Sequence, residues 1–180
     1  MATFQSLVED LLDIAKADAG TDTLFNEVLP CNELVNQCVL SATRRHQLPA
    51  TGLRTELTRE YYVSVDRRRF ERVITNLLEN AYRYGNGRVA VTLLPSDDGV
   101  EVAVDDNGPG IAPAERERVF ERFYRGDLAS RRGNAHGTGL GLALVSEHVK
   151  RFAGRVTITD SPLGGCRMVV WLPTVEEGGE

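Results

Sequence analysis

Three short stretches of this chain carry reactive or ligand-binding residue types at useful spacings. The first is Asn76-Leu77-Leu78-Glu79-Asn80, with Arg83 three residues beyond it. On a helix Asn76, Asn80 and Arg83 fall at i, i+4 and i+7, so two amides and a cation share one face. The second is Asp105-Asp106-Asn107-Gly108-Pro109-Gly110-Ile111. A strand ending this way delivers a carboxylate to the floor of a pocket, and the glycines let the backbone turn closely past a ligand. Alone, the same stretch is also ordinary turn chemistry. The third is Gly137-Thr138-Gly139-Leu140-Gly141-Leu142. It opens a helix, where unpaired N–H groups and the helix dipole attract phosphate. No Lys follows as in a P-loop, and no strand precedes it as in a dinucleotide fingerprint. Together the three stretches suit one pocket for a nucleotide.

The elements that must position them can be read from the periodicity. Residues 3 to about 19 form an amphipathic helix with Phe4, Leu7, Val8, Leu11, Leu12 and Ala15 in one stripe, stopped by Gly20. It is either a packing helix of the domain or the remnant of a helical bundle. Leu24 to Leu29 is a strand candidate, and Pro30 starts a helix through Gln47. Gly52 to Val65 reads as two strands joined by a tight turn near Arg59-Glu60. The clearest helix runs from an Asp66 N-cap to Tyr84, with Phe70, Val73, Ile74, Leu77, Leu78 and Ala81 inward. Strands follow at 88–94 and 100–105 around Ser96-Asp97-Asp98-Gly99, with Val100, Val102 and Val104 on one face. Residues 107–138 show little regular pattern beyond a helical piece at 113–120; a loop this long is usually functional or mobile, and the charged part from about Arg116 to Thr138 is expected to be a mobile lid. A helix over 140–153 and a hairpin of 155–160 with 166–173 close the domain, and 176–180 fray.

Composition bounds the partners. The 180 residues are 42% apolar, enough for a core, and carry a net charge of −5, which argues against nucleic acid. The cations nevertheless cluster at Arg67-Arg68-Arg69 and between Arg116 and Arg132, as a local anionic ligand or a solvated face would require. Cys31, Cys38 and Cys166 have no metal-ligand spacing and read as buried thiols. No apolar run reaches membrane-span length and no signal peptide is present, so a soluble, cytoplasmic chain is expected.

In this order and at these separations the stretches resemble the catalytic and ATP-binding domain of sensor histidine kinases, within the superfamily that also holds gyrase, Hsp90 and MutL. Asn76 to Asn80 resembles the N box, Asp106 to Gly110 the G1 box, Phe120-Glu121-Arg122-Phe123-Tyr124 the F box and Gly137 to Leu142 the G2 box. The resemblance covers about residues 22–174. It implies an α/β fold, a two-layer α/β sandwich (the Bergerat ATP-binding fold) whose mixed, mostly antiparallel sheet carries helices on one face. Residues 1–21 resemble the end of the family's dimerisation and phosphoacceptor hairpin, and 175–180 are left as a tail.

The resemblance also implies roles. Asp106 accepts from the exocyclic amine of adenine, with Asp105 its competitor on the opposite face. Asn80 is the Mg²⁺ ligand, Asn76 and Arg83 lie beside the phosphates, and Tyr84 lies against the base. Gly108, Gly110 and Ile111 shape the base pocket. Gly137, Thr138, Gly139, Leu140, Gly141 and Leu142 cradle phosphate, Arg122 and Arg125 close over it, and Tyr124 of the F box is a further ATP-binding residue. His136 is a lid residue. The cofactors implied are ATP and Mg²⁺. The partners implied are the protein's own phosphoacceptor domain and a cognate response regulator, in a homodimeric protein that is membrane-anchored with this portion cytoplasmic.

Two departures carry information. ATP-hydrolysing members of the superfamily place a water-activating Glu where this chain has Asn76, while Glu79 lies on another face, so hydrolysis should be poor. None of His46, His136 and His148 is followed by an acidic residue, the signature of a phosphoacceptor. The acceptor is expected before Met1 or on another chain. The rivals are a gyrase-type ATPase switch, a serine kinase that restrains a sigma factor, and a binding module with a decayed pocket. Asn76 in place of Glu counts against the first two, and the intact boxes against the third.

Overall fold

The computed structural model of the chain describes residues 8, 11–15, 23–49, 51–124 and 138–177. Among the described residues, seven strands and three long helices follow the helical residues 11–15. They are β1 (Glu27–Pro30), α1 (Cys31–Arg45), β2 (Leu53–Thr55), β3 (Tyr62–Val65), α2 (Arg67–Tyr84), β4 (Val89–Ser96), β5 (Gly99–Asp106), α3 (Gly141–Arg151), β6 (Arg155–Asp160) and β7 (Cys166–Pro173). Two 3-10 turns, Pro113–Glu115 and Arg118–Phe120, stand between β5 and α3. The main sheet has the order β2-β4-β5-β7-β6, with β2 parallel to β4 and all other pairs antiparallel. This is the expected α/β sandwich with a mixed, mostly antiparallel sheet.

Register explains the single core. Val91, Val104, Met168 and Ile158 are aligned across β4, β5, β7 and β6, and Leu93, Val102, Val170 and Val156 form the next row. Both rows face the apolar stripes of the three helices, where Leu34, Val35, Phe70, Ile74, Leu77, Leu78, Val145 and Val149 are buried. Truncating one such Leu to Ala costs about 2–5 kcal/mol in a packed core.

Helix α2 starts where expected. Asp66 accepts from the backbone N–H groups of Arg68 and Arg69. Its charge offsets Arg67-Arg68-Arg69, which stand unfavourably at the positive end of the helix dipole. At the other end Gly85 is pressed onto Asp106, because a Cβ there would lie 3.2 Å from Asp106 Cβ. The helix that carries the two asparagines therefore stops directly against the end of β5.

Several expectations need correction. The first strand lies at 27–30, later than the expected 24–29. Residues 52–65 do not form a hairpin: β2 joins β4 in the main sheet, and β3 pairs antiparallel with β1 in a separate two-stranded sheet. The turn chemistry near Arg59-Glu60 was misleading because each flanking strand finds its partner elsewhere. The piece at 113–120 is two 3-10 turns and not a helix. Among the described residues of the N-terminal stripe, Val8 is 39%, Leu11 42% and Leu12 52% exposed. Asp13 ties this segment to α2 through Arg72 at 2.7 Å. The hairpin of β6 and β7 has the expected bounds. The expected lid falls largely on residues 125–137, outside the described residues, as do the last three of the expected frayed tail.

Candidate functional site

The C-terminal half of α2, the end of β5 and the start of α3 converge. Asn76 is half-buried and donates from Nδ2 to the carbonyl oxygen of Gly141 at 3.3 Å. Asn80, one turn later, is half-buried, and its side chain makes no hydrogen bond among the described residues. An amide oxygen left in this way suits a hard cation that also keeps waters and phosphate oxygens. Among the described residues no group of three or more His, Cys, Asp or Glu gathers into a metal cage. Arg83 is exposed on the same helix.

Asp106 is 5% exposed. Its Oδ1 accepts from the backbone N–H of Gly108 at 2.7 Å and of Cys166 at 3.2 Å. No hydrogen bond to Oδ2 is made among the described residues, so the carboxylate keeps one acceptor for a ligand. Gly108 abuts the carbonyl oxygen of half-buried Tyr84, where any side chain would clash. Asn107 holds the loop from outside: its Oδ1 accepts from Asn86 N at 3.1 Å and Arg88 N at 3.0 Å. Gly110 takes φ +74, and Ile111 packs against the core while its carbonyl oxygen accepts from Arg116 Nε at 3.1 Å.

Asp105 does a different job. Its carboxylate, 2% exposed, receives Arg167 through Nε and a terminal guanidinium nitrogen, both at 2.9 Å, and Ser161 Oγ at 2.8 Å. That hydrogen bond holds the Arg167 guanidinium above its ordinary range. Both oxygens of this carboxylate are thus engaged, Oδ1 twice and Oδ2 once, by groups of the β6–β7 hairpin. This separates Asp105 from Asp106, whose carboxylate lies among the glycines.

The remaining boxes meet through the backbone. Phe123 N donates to Gly139 O at 2.9 Å, and both residues take positive φ, +63 and +71. A Cβ at Gly139 would sit 2.8 Å from the Phe123 carbonyl carbon, so only glycine fits. Tyr124 is half-buried, donates to Glu115 Oε1 at 3.0 Å and lies under the Arg118 guanidinium, 4.7 Å from its ring centroid. Arg122 is exposed. Thr138 Oγ1 accepts from Leu140 N at 3.3 Å. The Leu140 side chain is fully buried, which leaves only its backbone to meet a ligand, and Leu142 is partly buried against the core. Gly141 opens α3 beside Asn76. Arg125, Gly137 and His136 lie outside the described residues.

Sequence reasoning missed four contributors: Ser161, Gly165, Arg167 and the Asn86–Asn107 latch. The first three lie about 60 residues from the carboxylates they support, so no local spacing could reveal them. Glu79 is where expected, away from the asparagine face, and its Oε1 meets His46 Nδ1 at 2.7 Å.

Comparison with known proteins gives the family and the fold. Residues 65–176 match the family model described as histidine kinase-, DNA gyrase B- and HSP90-like ATPase. The chain is 33% identical over 169 residues to the sensor histidine kinase CpxA of Escherichia coli K12, covering 93% of this chain and 36% of that protein. The chain thus spans little more than a third of the curated relative's length. Among solved structures it is similar to the ATP-binding domain of PrrB from Mycobacterium tuberculosis, with TM-score 0.64 and 28% identity over 84% of this chain and 98% of that one. It is also similar to full-length ShkA in complex with AMPPNP, with TM-score 0.76 and 27% identity over 97% of this chain and 36% of that one.

Proposed function

The chain belongs to the histidine kinase-, DNA gyrase B- and HSP90-like ATPase family, and from that premise we propose that it is the ATP-binding catalytic portion of a sensor histidine kinase that moves the γ-phosphoryl of ATP to a histidine outside this chain. The observation that carries the reading is the convergence of a half-saturated carboxylate, Asp106, with the Asn76–Asn80 face and the glycine-rich opening of α3. Asp106 Oδ2 accepts from the adenine amine while Gly108 lets the ring approach. Tyr84 and Ile111 supply apolar walls, and Gly110 turns the loop around the base.

Asn80 and the phosphates would hold Mg²⁺, which supplies charge neutralisation on the phosphoryl oxygens. The backbone N–H groups of Thr138, Gly139, Gly141 and Leu142 receive the phosphates at the positive end of α3. Arg83, Arg122 and Arg125 add positive charge, and Tyr124 braces the F-box turn. Gly137 and Gly139 keep that cradle free of side chains. The chain's own work is therefore to bind, orient and neutralise; the attacking nitrogen comes from the acceptor.

In the intact protein we place residues 1–21 as the end of the dimerisation hairpin, 22–174 as the catalytic unit and 175–180 as a tail. The partners are the phosphoacceptor domain, a second copy of the protein and a response regulator. We place this portion on the cytoplasmic side of a membrane-anchored protein; no helix among the described residues is itself long and apolar enough to cross a membrane.

A hydrolytic switch is the second reading. The position of Asn76 weighs against it, since that side chain is neutral and its Nδ2 is engaged with Gly141. The test is to mix the chain with Mg²⁺, γ-labelled ATP and a separately made phosphoacceptor-helix domain. Acid-labile label on the acceptor histidine, lost with Asp106→Asn, is the expected result. Steady phosphate release without any labelled acceptor would sink the kinase reading in favour of the switch.

A further inference from the structure

We infer that the turn joining β6 to β7, residues 161–165, together with Cys166 at the start of β7, belongs to the base site: locked to Asp105 by Ser161, it clamps Asp106 so that one carboxylate oxygen alone is offered to the base, and it thereby sets base selectivity. The inference rests on the reading of Asp106 as base reader.

The turn approaches Asp106 more closely than packing alone requires. Cys166 N donates to Asp106 Oδ1 at 3.2 Å, and Gly108 N donates to the same oxygen at 2.7 Å. Two donors on Oδ1 fix the rotation of the carboxylate about its terminal bond, a torsion that is otherwise broad. Gly165 fills the space between them. A Cβ at Gly165 would overlap Asp106 Oδ1 and Gly108 N and would come within 2.6 Å of the Asp106 carbonyl oxygen. All three belong to the base loop, so any side chain at Gly165 must displace the carboxylate or the turn.

The turn is in its own right held in place. Ser161 N donates to Gly165 O and Gly164 N to Ser161 O, both at 2.9 Å, and Gly164 takes φ +96. Ser161 Oγ accepts from Leu163 N at 3.1 Å while donating to Asp105 Oδ1 at 2.8 Å. Arg167, just after the turn, grips the same carboxylate with two bonds. Two adjacent carboxylates on β5 thus face opposite sides of the sheet and are both tied to the β6–β7 hairpin. Asp105 anchors the turn, and the turn orients Asp106. Ser161, Gly165 and Arg167 are positioning residues.

The experiment titrates the full chain with ADP, GDP and tripolyphosphate, each with Mg²⁺, for wild type, Ser161→Ala, Ser161→Thr, Gly165→Ala and Asp106→Asn. Thermal melts report folding. Ser161→Ala and Gly165→Ala should lower the ADP-over-GDP preference by about tenfold, the scale of one charge-assisted hydrogen bond. Tripolyphosphate affinity should stay within about twofold, since the phosphate cradle is not touched. Ser161→Thr, which keeps the hydroxyl, should restore the preference. If Gly165→Ala fails to fold, the Ser161 pair decides. An unchanged preference in folded Ser161→Ala, with Asp106→Asn abolishing it, overturns the clamp while sparing the base reader. Preference that survives Asp106→Asn overturns the base reader and the clamp with it. Loss of tripolyphosphate affinity in step with ADP would mark the turn as merely structural and also overturns the proposal.

Discussion

The side-chain amide of Asn76 donates to the carbonyl oxygen of Gly141, 65 residues away, at 3.3 Å. One face of α2 is thereby joined to the first turn of α3. The bond leaves Oδ1 as the free end of the amide, and it makes the phosphate cradle move with the helix that carries Asn80. Asn76→Ala should cost about 0.5–1.5 kcal/mol of stability, the usual net worth of one hydrogen bond, and should weaken nucleotide binding as well. Denaturant unfolding and calorimetric titration with ADP check both. Full affinity in the variant would show that the tie is irrelevant to the cradle.

Asn80 should behave differently. Its side chain makes no hydrogen bond among the described residues and lies on the polar side of α2, so truncation opens no core cavity. Asn80→Ala should change the thermal midpoint little while weakening Mg²⁺-ATP binding about tenfold or more, the scale of a lost polar contact to a charged ligand. The Mg²⁺ dependence of affinity should flatten in the variant. A lower midpoint with unchanged affinity would make Asn80 a structural residue.

The two asparagines illustrate what sequence can reveal. Their helix was legible because cap, apolar stripe and polar stripe all agree over 18 residues of α2. The β6–β7 hairpin was legible for the same reason, with period-two alternation in β7. The partners of β2 and β3 were not. Leu53–Thr55 is only three residues long and pairs parallel with β4, and a parallel partner leaves no turn signal in the intervening chain. Site residues inside boxes were legible because glycines and amides cluster locally. The supports of Asp105 and Asp106 were not, since a Ser, a Gly and an Arg in a hairpin have ordinary local readings. Their importance comes from register, which places Asp105 opposite Arg167.

Burial pushes the Cys31 and Cys38 thiols up from 9.0 to about 12, and burial followed by the neighbouring Asp106 does the same for Cys166. The folded chain therefore holds protons that the unfolded chain releases. Below pH 9 this contribution to stability is fully present, and it is lost as pH rises from 9 to about 12. Each thiol removes about 1.4 kcal/mol per pH unit within that window. Urea unfolding at pH 8 and pH 10 should show the loss, and Cys38→Ala should reduce its slope. At pH 8 a thiol-specific disulfide reagent should react slowly with native protein and fast in denaturant. Rapid native labelling of all three thiols would contradict their burial.

Finally, the chain should bind ATP without labelling itself and should hydrolyse it slowly. Self-labelling needs a histidine whose imidazole can reach the γ-phosphoryl. His46 sits at the end of α1 with Nδ1 held by Glu79, and His148 is 2% exposed within α3. Neither is followed by an acidic residue, and neither is His136. Hydrolysis needs a base to activate water. The position one turn before Asn80 holds a neutral amide, Asn76, and the nearby carboxylate of Glu79 is engaged by His46 on another face. General-base assistance is worth about 10²–10⁴-fold in rate, so turnover should lie that far below that of a family member with Glu in place of Asn76. Incubation with γ-labelled ATP and Mg²⁺ should leave the chain unlabelled, with ADP accumulating only slowly. Acid-labile phosphate on His46, His136 or His148, or turnover matching a Glu-bearing ATPase, would show that this chain contains an acceptor or a base that its sequence does not declare.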